Sequence, residues 1–190
     1  MTLKKAAMFG LDARIALAIF GALSVISGAA LYSAIQQAKV ISSVAELNEF
    51  AKAVESFRLD TGQEIPAQGA YGILMAQNLV ESTVSGFNGP YISFDKSTTA
   101  HYLLKNGVSA GVYNRPGTTW GDNDHSGECT VAPCAIWVSF LDDYTLEEAN
   151  AIDAYVDGTT DITNGRVRAY YNTGSKYNVY LQVAPALNQP

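Results

Sequence analysis

The sequence predicts an α+β fold: a long N-terminal helix, half of it apolar enough to cross a bilayer, packed through its other half on a small antiparallel β-sheet. Three observations carry that prediction. No charged residue occurs between Arg14 and Lys39. Apolar residues then recur at three- and four-residue steps as far as Phe57. Beyond Gly89 the pattern changes to short alternating stretches. A helix followed by strands is the element order of an α+β domain. With 190 residues the chain can hold one head with its own core and an anchor, and is too short for two full-sized domains.

The 21 residues from Ile15 to Ile35, at about 1.5 Å each, make a helix of roughly 31 Å, close to the hydrocarbon thickness of a bilayer. Lys4, Lys5 and Arg14 precede it against Asp12 alone. The positive-inside bias therefore keeps the N-terminus cytoplasmic and sends the head outside the inner (cytoplasmic) membrane. Residues 1–14 contribute +2 to the formal charge of −6 and the remainder −8, which disfavours nucleic acid as a partner of the head. A cleaved signal peptide is the alternative, with small residues at Gly28, Ala29 and Ala30. The apolar stretch outruns a signal core, however, and no Pro or Gly interrupts the sequence from Ala29 to Thr61, so the helix is expected to run on.

Past the apolar segment, Val40, Ile41, Val44, Leu47, Phe50, Ala51, Val54 and Phe57 form one stripe, with Gln36, Gln37, Lys39, Glu46, Lys52 and Glu55 on the polar face. The helix should end near Asp60, with Gly62 as its stop. At about 45 residues it is far longer than a globular helix needs, so its apolar half requires partners outside its own head. Ala18 and Ala22, like Ser24 and Gly28, stand four apart, which lets neighbouring helices approach closely. A generic single-span anchor, in which small residues are simply common, is the alternative.

In the head, Gly62–Pro66 reads as a turn and Gly72–Leu79 as a short helix. Tyr91–Phe94, His101–Leu104 and Ala135–Leu141 read as strands, separated by a Gly- and Asp-rich loop at Gly107–Glu128. Thr145-Leu146-Glu147-Glu148 is a capping box opening a helix that Gly158 ends. Arg166–Tyr171 and Tyr177–Val183 form a hairpin turning through Asn172–Ser175.

Cys129 and Cys134 are the two cysteines. On the oxidising side of the membrane a disulfide closing a small loop is favoured over free thiols, and zinc would need more ligands. Asp122, Asp124, Ser126 and Glu128 supply oxygens at alternate positions of a Gly-containing loop, an arrangement suited to a hard cation such as Ca2+, with a solvated acidic turn as the equal alternative. Asp153, Asp157 and Asp161 are explained more economically as helix-capping and turn residues. Gly107-Val-Ser109-Ala-Gly111 matches a nucleophile-elbow string, but a Pro- and Gly-rich stretch follows it in place of a helix, so no enzyme is expected. His101 beside Tyr102 reads as a strand residue. Tyr170, Tyr171, Tyr177 and Tyr180 read as cross-strand pairs and subunit contacts.

Three stretches together resemble the type IV pilin superfamily, most closely the pseudopilins of type II secretion systems. A short basic leader ending in Phe9-Gly10 precedes the apolar helix. Phe50-Ala-Lys-Ala-Val-Glu-Ser-Phe57-Arg-Leu-Asp60-Thr-Gly62-Gln-Glu-Ile-Pro66, with Gly86-Phe-Asn-Gly89-Pro90-Tyr91 further on, is similar to the major-pseudopilin helix end and the later Gly-Pro-Tyr that opens the sheet region. Ala151-Ile152-Asp153-Ala-Tyr-Val-Asp157-Gly158, then Gly165 and Val167, is similar to a turn of several pilin heads.

The resemblance implies a leader at residues 1–10, removed by prepilin peptidase between Gly10 and Leu11. It also implies a long helix at 11–60 with its transmembrane half at 15–35, and a head at 61–190 with which helix residues 36–60 pack. Cleavage there puts Ile15 at the fifth mature position, where most pilins carry Glu, and leaves Asp12 as the nearest acid. The function implied is that of a structural subunit of a type IV pilus or type II secretion pseudopilus. Its partners would be further copies of itself, other pilins or pseudopilins, prepilin peptidase, an inner-membrane assembly platform and membrane lipid, with no cofactor required beyond the Ca2+ considered above. The alternative is a single-span, membrane-anchored extracytoplasmic domain that binds a ligand or ion.

Overall fold

The computed structural model describes residues 3–69, 72–122, 127–172 and 176–190. Helix α1 (Leu3–Thr61) stops where Gly62 takes a positive φ of 67°, a conformation that costs glycine nothing. The chain divides into two units, Met1–Lys39 and Val40–Pro190. In the first, every described side chain from Asp12 to Ile35 is exposed.

In the second unit the stripe from Val44 onward lies in the core, whereas Ile41, expected on it, is exposed. Val44, Leu47, Phe50, Val54 and Phe57 are buried against the sheet, and each large apolar side chain so buried contributes roughly 2 kcal/mol. Phe50 lies 5.6 Å from Phe94 and 6.0 Å from Phe140 between ring centroids. The polar face is outward, and Glu46 pairs with Lys105 at 3.1 Å.

Among the described residues the sheet has seven strands: β1 (Ile73–Leu74), β2 (Asp95–Lys96), β3 (Tyr102–Lys105), β4 (Val108–Pro116), β5 (Cys134–Tyr144), β6 (Val167–Tyr171) and β7 (Tyr177–Pro185). All pair antiparallel in the order β2-β3-β4-β5-β7-β6, with β1 on β4. A short 3-10 helix (Ala76–Leu79) follows β1. Helix α2 (Leu146–Val156) opens with the expected capping box, in which the Thr145 hydroxyl accepts the Glu148 N–H and the Glu148 carboxylate accepts the Thr145 N–H.

Three expectations are corrected. The stretch read as a loop from Gly107 contains β4, a nine-residue strand of the sheet interior. Tyr91–Phe94 is not a strand: Ile92 and Phe94 are buried, but pairing starts only at Asp95. The helix expected at Gly72–Leu79 is β1 followed by the 3-10 turn. The hairpin of β6 and β7 is as expected, and of its turn residues 173–175 lie outside the described residues.

Successive residues of β5 point to opposite faces. Ile136, Val138 and Phe140 join the core under α1, whereas Ala135 and Trp137 join a second cluster with Tyr113, Trp120 and Tyr180. The central strand is thus buried on both sides, and the sheet is covered on both faces.

Candidate functional site

The first candidate surface is the apolar half of α1. Gly10 and Leu11 both lie within the helix, the side chain of Leu11 outside the described residues. Asp12, Ala18, Ala22, Ser24 and Gly28 are exposed, and a Cβ added at Gly10 or Gly28 would meet nothing within 4 Å. Phe20 is 70% exposed and Val25 73%. By length and composition this helix can cross a membrane.

At the other end of α1 the two halves of the second sequence pattern meet. Phe57, Phe87 and Tyr91 form an aromatic trio with centroid separations of 5.3 to 6.4 Å, and the Tyr91 hydroxyl donates to the Asp60 carboxylate at 2.8 Å. Gly86 has a φ of 87°, and a Cβ there would collide with the Asp60 carbonyl. The Gly-Pro-Tyr segment is therefore a clasp on the helix end, and it does not open the sheet, because β1 precedes it.

The C-terminal tail ties the same helix end to the cysteine loop. Arg58 donates to the Pro185 carbonyl at 2.9 Å and sits 3.3 Å from Glu64, whose carboxylate accepts the Leu187 N–H at 2.7 Å. Cys129 and Cys134 form the expected disulfide. The Gln189 amide pairs with the backbone of Cys134, accepting its N–H at 2.7 Å and donating to its carbonyl at 3.0 Å. A cavity of about 360 Å³ lies beside this tail between the 62–67 turn and Asn114. There Glu64 Oε2 and Asn114 Oδ1 are buried without a donor.

The acidic loop is described only at its ends. Asp124 and Ser126 lie outside the described residues. Asp122, at a φ of 52°, is built into the edge of β6, donating its N–H to Ala169 and accepting that of Tyr171, and Glu128 is exposed. Among the described residues no three His, Cys, Asp or Glu side chains converge as a metal site. Ser109 of the nucleophile-like string sits in β4 opposite Leu104, not on a strand-to-helix turn, and His101 is in the turn before β3, 4.2 Å from the Tyr102 ring.

Two further groupings bury charged side chains, and only the first was not foreseen. On the outer face of the sheet the fully buried Arg115 lies over Tyr113, Trp120 and Tyr180 at 4.9 to 5.4 Å. Arg168 lies over Trp120 and Trp137 at 5.8 and 5.3 Å and donates to the carbonyls of Gly165 and Thr118. Desolvation lowers the Arg168 pKa and raises those of Tyr113 and Tyr180. Of the tyrosines read as cross-strand pairs and subunit contacts, Tyr180 is interior, whereas Tyr171 and Tyr177 form a cross-strand pair.

The second grouping is the turn after α2. Asp157 accepts the N–H groups of Arg166 and Val167 at 2.7 and 2.8 Å, and Asp161 accepts the N–H and hydroxyl of Thr163, so both are turn residues as expected. Asp153 is different. It is fully buried, its Oδ1 faces no donor and its pKa is pushed up to about 6, first by burial and then by the charge of Asp157.

No family model, curated protein or solved structure matches this chain. What stands is an architecture: a long apolar N-terminal helix, an antiparallel sheet packed on its second half, and a disulfide near the C-terminus, which is a pilin-like arrangement.

Proposed function

We propose that this chain is a structural subunit of a helical filament, of the type IV pilus or type II secretion pseudopilus kind, stored in the membrane by its N-terminal helix and assembled through it. The observation that carries the reading is the contrast along α1. Val44 to Phe57 turn their apolar face to the chain's own sheet, whereas Ile15, Phe20, Val25 and Leu31 are exposed. An uncovered apolar surface of this length is stable in lipid or against sister helices, not in water. The small residues Ala18, Ala22, Ser24 and Gly28 suit close helix approach. Prepilin peptidase would convert one state to the other, and the inner-membrane platform would add or withdraw subunits. Bound Ca2+ at Asp122 to Glu128 would stiffen the head and take no part in assembly chemistry.

The test is the mature N-terminus. Cleavage after Gly10, blocked in Gly10→Val, is the expected result; an intact Met1 or a cut near Ala30 would sink the reading. An uncleaved anchor would favour an ion- or ligand-binding domain, for which the cavity beside Glu64 and Asn114 is the supporting observation.

A further inference from the structure

We propose that the buried Asp153 keeps a proton on its carboxyl, and that this carboxyl, beside Asp157, is a proton-operated latch holding the end of α2 to the start of β6. It is independent of the filament reading.

The two side chains are one helical turn apart and meet at hydrogen-bonding range. Both are acceptors when ionised. The Asp157 Oδ2 takes two backbone N–H bonds, from Arg166 and Val167 at the start of β6, so it faces Asp153 already holding two donors. Asp153 has the opposite surroundings. The Thr159 hydroxyl reaches its Oδ2 only at 3.3 Å, and its Oδ1 is sealed from solvent without a donor. An unpaired charge in that position is costly, whereas a proton on Asp153 turns one of two opposed acceptors into a donor. The neighbouring charges leave the balance there. Asp161, from the turn, adds to the negative field. Arg168, from β6, is the cation that interacts with all three aspartates, but its guanidinium is spent on the Gly165 and Thr118 carbonyls. A recess of about 370 Å³ lined by Asp157, Thr159, Asp161 and Arg166 gives solvent protons a route to the pair.

The sign follows from linkage. The folded chain holds a proton that the unfolded chain has released above the ordinary Asp value of 3.8. The stabilisation is complete below that value and is lost as pH rises through about 6. The latch is shut in acid and loosened at neutral pH.

The experiment is urea unfolding of the full chain in detergent micelles, followed by the fluorescence of Trp120 and Trp137, for wild type and Asp153→Asn between pH 4.5 and 7.5. The asparagine keeps the shape and donates permanently. Across this range the wild-type unfolding constant should rise by about 25-fold relative to the variant, whose own constant should change far less, since part of the loss already falls below pH 4.5. Equal pH dependence in the two proteins would overturn the proposal. So would stabilisation of the wild type at pH 7.5 by millimolar CaCl2 that is absent in the variant, since a cation would then hold the pair. Should Asp153→Asn not fold, carbon-detected NMR titration of wild-type aspartate carboxyls decides: one carboxyl with a midpoint near 6 is expected, and all midpoints below 4.5 would contradict it.

Discussion

Replacing Phe50 with alanine should cost the head about 4 kcal/mol, the middle of the range for removing a fully buried Phe. Phe50 is 0% exposed, and its ring contacts Phe94 on the segment before β2 and Phe140 on β5, so no single neighbour can move to fill the space. The loss includes two aromatic contacts of about 1 kcal/mol each. In a unit spanning Val40–Pro190, that destabilisation lowers the melting temperature by roughly 8–16 °C. Thermal unfolding of the full chain in micelles, followed by near-UV circular dichroism, measures it. Lys52→Ala, on the exposed face of the same helix, is the control and should stay within about 0.5 kcal/mol of wild type. If Phe50→Ala is no worse than Lys52→Ala, the stripe of α1 is not the core of the head and the packing described is wrong.

Two further substitutions probe other parts of the head. Trp120→Ala should cost about 3–5 kcal/mol and remove near-UV dichroism from Trp137, because its ring closes the layer over Arg115, Arg168 and Tyr180; an unchanged spectrum would mean the 117–122 segment does not cover that face. Thr145→Ala should cost about 1 kcal/mol by denaturant midpoint, through loss of the bond from the Glu148 N–H, and no change would show that α2 keeps its first turn without the cap.

What was legible in the sequence is what repeats. The stripe of α1, the capping box of α2 and the alternation of β7 each carry several residues voting for one face, and the buried residues follow them. Strand β4 was hidden because Gly107, Gly111 and Pro116 read as breakers. Gly111 is in fact a packing position, since a Cβ there would come within 2.7–2.9 Å of the Tyr113 ring and hydroxyl, and Pro116 stands at the strand end opposite Cys134. Burial on both faces also removed the polar alternation that marks a strand. The burial of Arg115 and Arg168 has no mark in the sequence, because nothing in the periodicity of β4 or β6 announces that Trp120 will cover them. Asp153 could have been found. Ile152 and Asp153 stand three and four residues after Ala149 on one face of α2, so the helical period alone places a carboxyl in the core.

Electron microscopy of sheared surface material, labelled with an antibody against the head, decides whether the chain is a filament subunit. A filament subunit gives thin filaments decorated along their length, lost in the Gly10→Val variant. Finding the head only as isolated chains extracted from the membrane by detergent would contradict that role.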